Sequence, residues 1–296
     1  MLPAMAENGS WVARDLPVRG YTMRCWERPA AGPRVLFLHG FLDTGRSFAG
    51  VVEELPREVH ALCLDWRGHG GSRPVPEGMS FHQLDHLKDL AQVVELLDPQ
   101  RIVAHSMGAT VAYLYAAAAP GRVPGYLMLD AAGGFASKPS DQAEALRKLL
   151  LAERQPKPEF RTFPSAEAAI ERILHNNPGL SAEGAARMVA GSTELTPQGE
   201  LRFLFDARLR GPNPMRYSEA IWRELGRAIT DPVVVLLGEQ GLVRKAPILG
   251  ERVEAMPTAT LQMVPGVAHH LHLDAPAVVA AAVVAMLATT SGNEAR

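Results

Sequence analysis

The strongest constraint in this sequence is an alternation. Short apolar runs at Val35–Leu38, Val59–Leu64, Arg101–Ala104, Gly125–Leu129, Pro232–Leu237 and Leu261–Val264 each stop at a small or polar residue, and stretches of helical period separate several of them. Runs this short and this apolar suit strands buried on both faces, and a strand–helix succession builds a mostly parallel sheet covered by helices on both sides. Leu84, Leu87, Leu90, Val94 and Leu97 mark one helix, stopped at Asp98–Pro99. Ser106–Ala119 is a second, ended by Pro120–Gly121, and Ala277–Leu287 is the last. Ser10–Val18 and Tyr21–Glu27, parted by Arg19–Gly20, predict an antiparallel hairpin at the start. Between residues 131 and 230 the chain turns rich in Ala, Glu and Arg and is broken by eight prolines, from Pro139 to Pro214. Candidate helices there are Ser140–Arg154, Ser165–His175, Ser181–Ser192 and Tyr217–Ile229. The expected architecture is therefore α/β, with a twisted core of residues 1–130 and 231–296 and a helical cap (lid) inserted at 131–230.

Composition narrows the function class. With 47% hydrophobic residues and a net charge of −2 over 296 residues, the chain is neither disordered nor built to attract nucleic acid. Its longest apolar run, Ala275 to Ala288, is shorter than the roughly 20 residues a membrane helix needs. The first residues carry no basic region followed by an apolar one, so no secretory signal is expected. The expectation is a cytoplasmic protein with a small-molecule partner and no membrane partner, its oligomeric state unspecified. Cys25 and Cys63, the only cysteines, make neither a disulfide framework nor a zinc quartet and are expected as buried free thiols.

Chemistry concentrates in Arg101–Ala112, RIVAHSMGATVA. A β-branched run passes through Ala104-His105-Ser106-Met107-Gly108 straight into a helix. This is a variant of the Gly-x-Ser-x-Gly nucleophile elbow, with Ala104 at the first glycine. Such a turn has no room for bulk two residues either side of the serine, and the helix start behind it favours developing negative charge. Taken alone, Ser106 could equally be a helix N-cap. Two other segments favour the elbow. In His39-Gly40-Phe41, after a strand, the Phe41 amide would stand beside the serine and form an oxyanion hole with the Met107 amide. In Val264–Asp274, VPGVAHHLHLD, histidines occupy the loop between the last strand and the last helix.

HGF at 39–41, DWRGHGGS at 65–72, AHSMG at 104–108 and PGVAHHLHLDAP at 265–276 resemble, in order, the landmarks of the α/β-hydrolases. HGFLDTGRSF, LDAAGG, NNPGLSAEGAARMVAGSTE and LRFLFDARL further resemble the serine hydrolase-like proteins of that superfamily. The resemblance implies the α/β-hydrolase fold, a carboxylesterase-like serine hydrolase and no cofactor or metal. In the family's register Asp274 and Pro276 point to His269 as the base, with Ala268 at the usual glycine. The sequence departs from the family at the acid. Most members carry Asp where this chain has Gly241, in Gly238-Glu239-Gln240-Gly241. Asp130, at the tip of the strand next to the serine's strand, is the substitute, and Glu239 is the alternative acid. A Ser–His pair alone, or a degenerate site, is the remaining case.

The expected function is hydrolysis of a small, largely apolar ester or related acyl substrate through a Ser-His-Asp triad and an acyl-enzyme. The alternatives are a non-hydrolytic binding protein, motivated by the missing acid, and a lyase or cofactor-free oxygenase using the same cavity. Other features carry blander expectations. Gly68-His69-Gly70-Gly71-Ser72 lacks the Lys-Ser/Thr of a phosphate loop. His82 and His86, with no Glu between them as in a zinc helix, are expected at the surface. His270 and His272 are expected as pocket lining or surface, and Asp43 and Arg46 in a turn, with a place on the rim open to them.

Overall fold

The computed structural model describes residues 11–73, 75–152, 154–155, 161–214, 216–242 and 248–289. Its first half holds β1 (Val12–Val18), β2 (Tyr21–Arg28), β3 (Arg34–Leu38), α1 (Ala49–Glu54), β4 (His60–Leu64), α2 (Gln83–Leu97), β5 (Arg101–His105), α3 (Met107–Ala118) and β6 (Tyr126–Leu129). After α4 (Gln142–Ala152) come β7 (Thr162–Phe163), α5 (Ala166–Asn176), α6 (Ala182–Ser192), β8 (Thr193–Leu195), β9 (Leu201–Phe203) and α7 (Glu219–Arg227). The chain then returns through β10 (Val233–Gly238), α8 (Ile248–Glu254), β11 (Ala259–Val264), α9 (Leu271–Asp274) and α10 (Pro276–Ala288).

The eight-stranded sheet has the order β1-β2-β4-β3-β5-β6-β10-β11. Only the β1–β2 and β2–β4 pairs are antiparallel. Arg19 and Gly20, at φ 50° and 72°, make the tight turn whose twist suits a two-residue hairpin. Strand residues alternate between two apolar layers. Leu36, Leu38, Ile102, Ala104, Tyr126 and Met128 pack toward α2 and α3. Val35, Phe37, Val103, Leu127 and Leu129 pack toward α1 and α10. Cys25 and Cys63 lie on neighbouring strands but in opposite layers, and both are free.

The topology places the site. From β3 the chain first moves outward to β4, then crosses back to lay β5 on the other side of β3. The crevice at the carboxyl ends of β3 and β5 is thus a topological switch point, where open α/β sheets bind ligands. His39-Gly40-Phe41 leaves one of these strands and Ser106 the other.

Residues 131–230 hold short strands as well as the helices that the sequence pattern suggests. Beside α4–α7, strands β7, β9 and β8 form a three-stranded antiparallel sheet. Strands of two or three residues leave no periodic trace; this sheet is held instead by aromatic packing, with Phe163 and Phe203 ring centroids 5.5 Å apart. The helices themselves start as their serines indicate: Ser165 accepts from the Ala168 amide and Ser181 from the Gly184 amide.

His86 corrects the surface expectation. α2 turns it inward, only 2% exposed, edge-on to Trp66 at 5.3 Å. Burial, with the Arg67 charge second, lowers its pKa to about 3; His39 and His82 act in the same direction and Asp85 opposes it. The unfolded chain takes up this proton near the ordinary imidazole value of 6.5, whereas the folded chain resists until about pH 3. The stabilising contribution of neutral His86 is therefore complete above about 6.5 and declines as pH falls toward 3. In urea unfolding, His86→Phe should lose less stability than wild type between about pH 7.5 and pH 5.5.

Candidate active site

Ser106 is held in a conformation that non-glycine residues rarely adopt, φ 51° and ψ −110°. Its neighbours explain how that is sustained. The Ser106 amide donates to Leu129 O at 3.1 Å, and its carbonyl accepts from the Thr110 amide at 2.9 Å. A Cβ on Gly108 would lie 2.4 Å from Leu38 O, so only glycine lets α3 start so close to β3. A Cβ on Gly40 would come within 3.3 Å of Ser106 Cβ, which brings the backbone leading to Phe41 against the elbow.

Two buried histidines fix that backbone. His39 Nε2 accepts from the Trp66 amide at 3.0 Å, so Nδ1 carries the proton and donates to Gly40 O at 2.7 Å. His69 Nε2 accepts from the Leu42 amide at 3.2 Å, and its Nδ1 faces Arg67 O at 3.0 Å. Burial pulls the pKa of both rings below the usual imidazole value, as neutral acceptors require. The glycine-rich segment at 68–72 is thus loop architecture. Asp65 at its start accepts from the amides of Gly45 and Gly71 and from Trp26 Nε1, while burial raises its carboxyl pKa.

Three expected residues converge. His269 Nε2 is 3.0 Å from Ser106 Oγ, and His269 Nδ1 is 2.6 Å from Asp130 Oδ2. Asp130 is fully buried; its Oδ1 accepts from the Gly238 amide at 3.1 Å and its Oδ2 from the Leu242 amide at 2.8 Å. Asp130 itself takes a positive φ, 49°, a conformation Asp tolerates better than most residues. Glu239, the alternative acid, makes its hydrogen bond elsewhere. It is exposed at the surface, and its Oε2 accepts from the Gly266 amide at 3.0 Å. Its neighbour Gly241 explains the departure from the family pattern. A Cβ there would lie 2.4 Å from Asp130 Oδ1 and 2.6 Å from Oδ2. The carboxylate from β6 occupies the space in which a side chain at position 241 would begin.

Other histidines sit deeper than expected. His270 and His272 are 8% and 0% exposed, neither surface nor open pocket lining. Asp43 is buried too, not on the rim, and the Arg46 guanidinium lies 5.3 Å over the Trp26 ring. Asp43, His105 and His272 form a buried cluster that sequence reasoning missed. It draws one residue from each of three distant segments, so no local spacing announces it. A cavity of about 960 Å³ lies between α10 and strands β10 and β11, but neither Ser106, Asp130 nor His269 lines it.

Gly241→Ala should force the Asp130 carboxylate or the 238–242 turn to shift, and overpacking of this kind costs about 1–3 kcal/mol. Urea unfolding measures it; an unchanged midpoint would contradict the close approach.

Comparison with known proteins matches this architecture. The model of the alpha/beta hydrolase family matches residues 35–282. A serine hydrolase-like protein of Dictyostelium discoideum is 27% identical over 270 residues, covering 85% of this chain and 74% of its own length. A human monoacylglycerol lipase is 33% identical over 132 residues, 41% of this chain and 37% of the lipase. The crystal structure of a hypothetical protein from Pseudomonas aeruginosa superposes with a TM-score of 0.82 at 28% identity, covering 96% of this chain and all of the other. Among the described residues, no helix is long and apolar enough to cross a membrane. By fold, by sequence and by the family match, this chain belongs to the alpha/beta hydrolases.

Proposed function

We propose that the protein is a serine-dependent hydrolase of small, largely apolar esters or related acyl compounds. One observation carries this reading: an unbroken hydrogen-bond chain from Ser106 Oγ through His269 to the buried Asp130 carboxylate, at 3.0 and 2.6 Å. His269 Nε2 is placed to accept the Ser106 proton as Oγ attacks the carbonyl carbon. Asp130 holds Nδ1 as the donor and steadies the imidazolium that forms. Charge developing on the carbonyl oxygen is met by the Phe41 and Met107 amides. The proton then passes from Nε2 to the leaving group, which departs and leaves an acyl group on Ser106. Water, deprotonated by His269, attacks the acyl-enzyme; the acid leaves and Ser106 recovers its proton.

The apolar substrate class rests on the surroundings. Phe41, the residue after Gly40 beside the elbow, is 49% exposed, an apolar ring open to a substrate. Residues 131–230 serve as the lid. Their cluster of Phe163, Ala169, Val189, Phe203, Phe205 and Leu209 packs on Leu42, the residue after Phe41. The Gly70 amide donates to Leu204 O at 2.7 Å, fastening β9's end to the loop behind the site. Movement of this segment would change both access and the position of the oxyanion amides. The reading as a binding protein drew on the absence of an acid at position 241; the Asp130 carboxylate reaching that space favours the hydrolase.

A fluorophosphonate probe should label wild type at Ser106 and leave Ser106→Ala unlabelled. On a short p-nitrophenyl ester, Asp130→Asn should lower kcat by about 10⁴, by analogy with the acid of serine proteases. A folded wild type that the probe does not label and that turns over no ester would refute the proposal.

A further inference from the structure

Behind the Ser106–His269 pair lies a second group of chemistry-bearing side chains that the proposed hydrolysis does not use. One ring nitrogen each from His105 and His272 and one carboxylate oxygen from Asp43 lie within 4.8 Å of one another, and all three residues are buried. We propose that Asp43, His105 and His272 form a site for one divalent transition-metal cation of the zinc class.

The hydrogen bonding around these residues carries the inference. His105 Nε2 faces the His269 carbonyl oxygen at 3.0 Å, so that nitrogen donates and Nδ1 presents a bare lone pair. His105 Nδ1 is buried without a hydrogen-bond partner. An imidazole that donates from one nitrogen to a backbone carbonyl and leaves the other free is oriented as metal-ligating histidines are. His272 Nδ1 is likewise buried without a partner. His272 turns its other nitrogen, Nε2, toward Asp43, so the orphan that a ligand in this cluster would relieve is His105 Nδ1, a cost that protein contacts alone leave unmet.

The third ligand is prepared in the same way. Asp43 Oδ1 accepts from the Thr44 amide at 2.8 Å and from Ser192 Oγ at 3.2 Å, and its Oδ2 accepts from Ser47 Oγ at 2.8 Å. These donors fix the carboxylate's orientation. Its remaining contact, to His272 Nε2, is 3.3 Å, long for a hydrogen bond between such groups. That spacing matches one edge of a tetrahedral site, roughly 3.4 Å when ligand bonds are about 2.0–2.1 Å. Two imidazoles and one carboxylate suit zinc, cobalt or nickel rather than calcium or magnesium, which take oxygen ligands.

The three ligands come from the segment after β3, the last residue of β5 and α9. Each ligand lies within three residues, in sequence, of a member of the proposed catalytic arrangement: Phe41, Ser106 and His269. The His105 and His269 ring centroids are 4.6 Å apart. A cation would clamp the three segments together.

Full-length wild type, stripped with EDTA and freed of chelator, is titrated with Co²⁺. The expected result is one equivalent per chain, with the intense visible bands of tetrahedral cobalt, displaced by Zn²⁺. Folded His272→Gln and His105→Gln should bind at least about 100-fold more weakly, taking the upper effect of losing an outer-shell partner as the minimum for losing a ligand. His269→Ala should retain the bands, which separates this site from capture of metal by the catalytic histidine and holds whether or not the protein hydrolyses esters. Should a ligand variant fail to fold, a Co²⁺-soaked crystal of wild type decides, with an anomalous peak expected between Asp43, His105 and His272. The proposal is overturned by wild type that takes up no cobalt at about 1 mM, the concentration of a bare millimolar affinity. Binding that survives in folded His272→Gln, or a peak elsewhere, overturns it equally.

Discussion

The arrangement around Asp130 depends on a carboxyl group finding its hydrogen-bond donors where no water reaches it. A buried carboxylate is costly unless donors surround it. Here the donors are the Gly238 and Leu242 amides and His269 Nδ1, all from the C-terminal part of the chain, while Asp130 stands at the end of β6. The parallel pairing of β6 with β10 makes this possible, setting Leu129 opposite Leu236 and bringing the β6 tip level with the turn after β10. The glycine at 241 follows from the same constraint. An acid from the neighbouring strand and a side chain at 241 cannot occupy one space, so moving the acid to β6 empties the later position.

A second constraint concerns the histidines. Four of them, at 105, 269, 270 and 272, lie within ring contact, and His39 and His69 lie close behind. Burial lowers the pKa of His39, His69, His105 and His270, so these rings stay neutral. The His269 side chain is 25% exposed and has a carboxylate at 2.6 Å. His269 thus combines access to water with a carboxylate partner, beside rings that are buried.

What the sequence makes legible follows what is local. Strand ends show because apolar runs stop abruptly, and Ser106 shows because an elbow needs small residues at fixed offsets. His269 emerges from its distance to Asp274 and Pro276, yet Asp274 serves a different neighbour: its Oδ1 accepts from Ser181 Oγ at 2.5 Å, joining the start of α6 to α9. Glu239 could be weighed against Asp130 from sequence but not separated from it. The facts that bear on the choice, Glu239's exposure and the register of β6 on β10, are tertiary. Helices as short as α1, α8 and α9 and strands as short as β7–β9 lie below the length at which periodicity speaks. His86 was misjudged because a histidine on a helix shows no preferred face until the partner surface, here Trp66, is known.

The loop after β3 joins these constraints. Its path is set by His39 bonding to Trp66, by His69 bonding to Leu42 and by Asp65 bonding to Gly45, each a buried side chain receiving a backbone amide. Backbone amides pointing at one place must be held by something other than helix or sheet, because a loop has no ladder of its own. The segment DWRGHGGS supplies two of the three holders, Asp65 and His69, so in this chain it serves as the support of the HGF loop. The same loop carries Asp43 inward and Phe41 outward. One turn thus carries Phe41, whose amide belongs to the proposed oxyanion hole, and Asp43, whose carboxylate meets the buried His272, and displacement of the turn must move both.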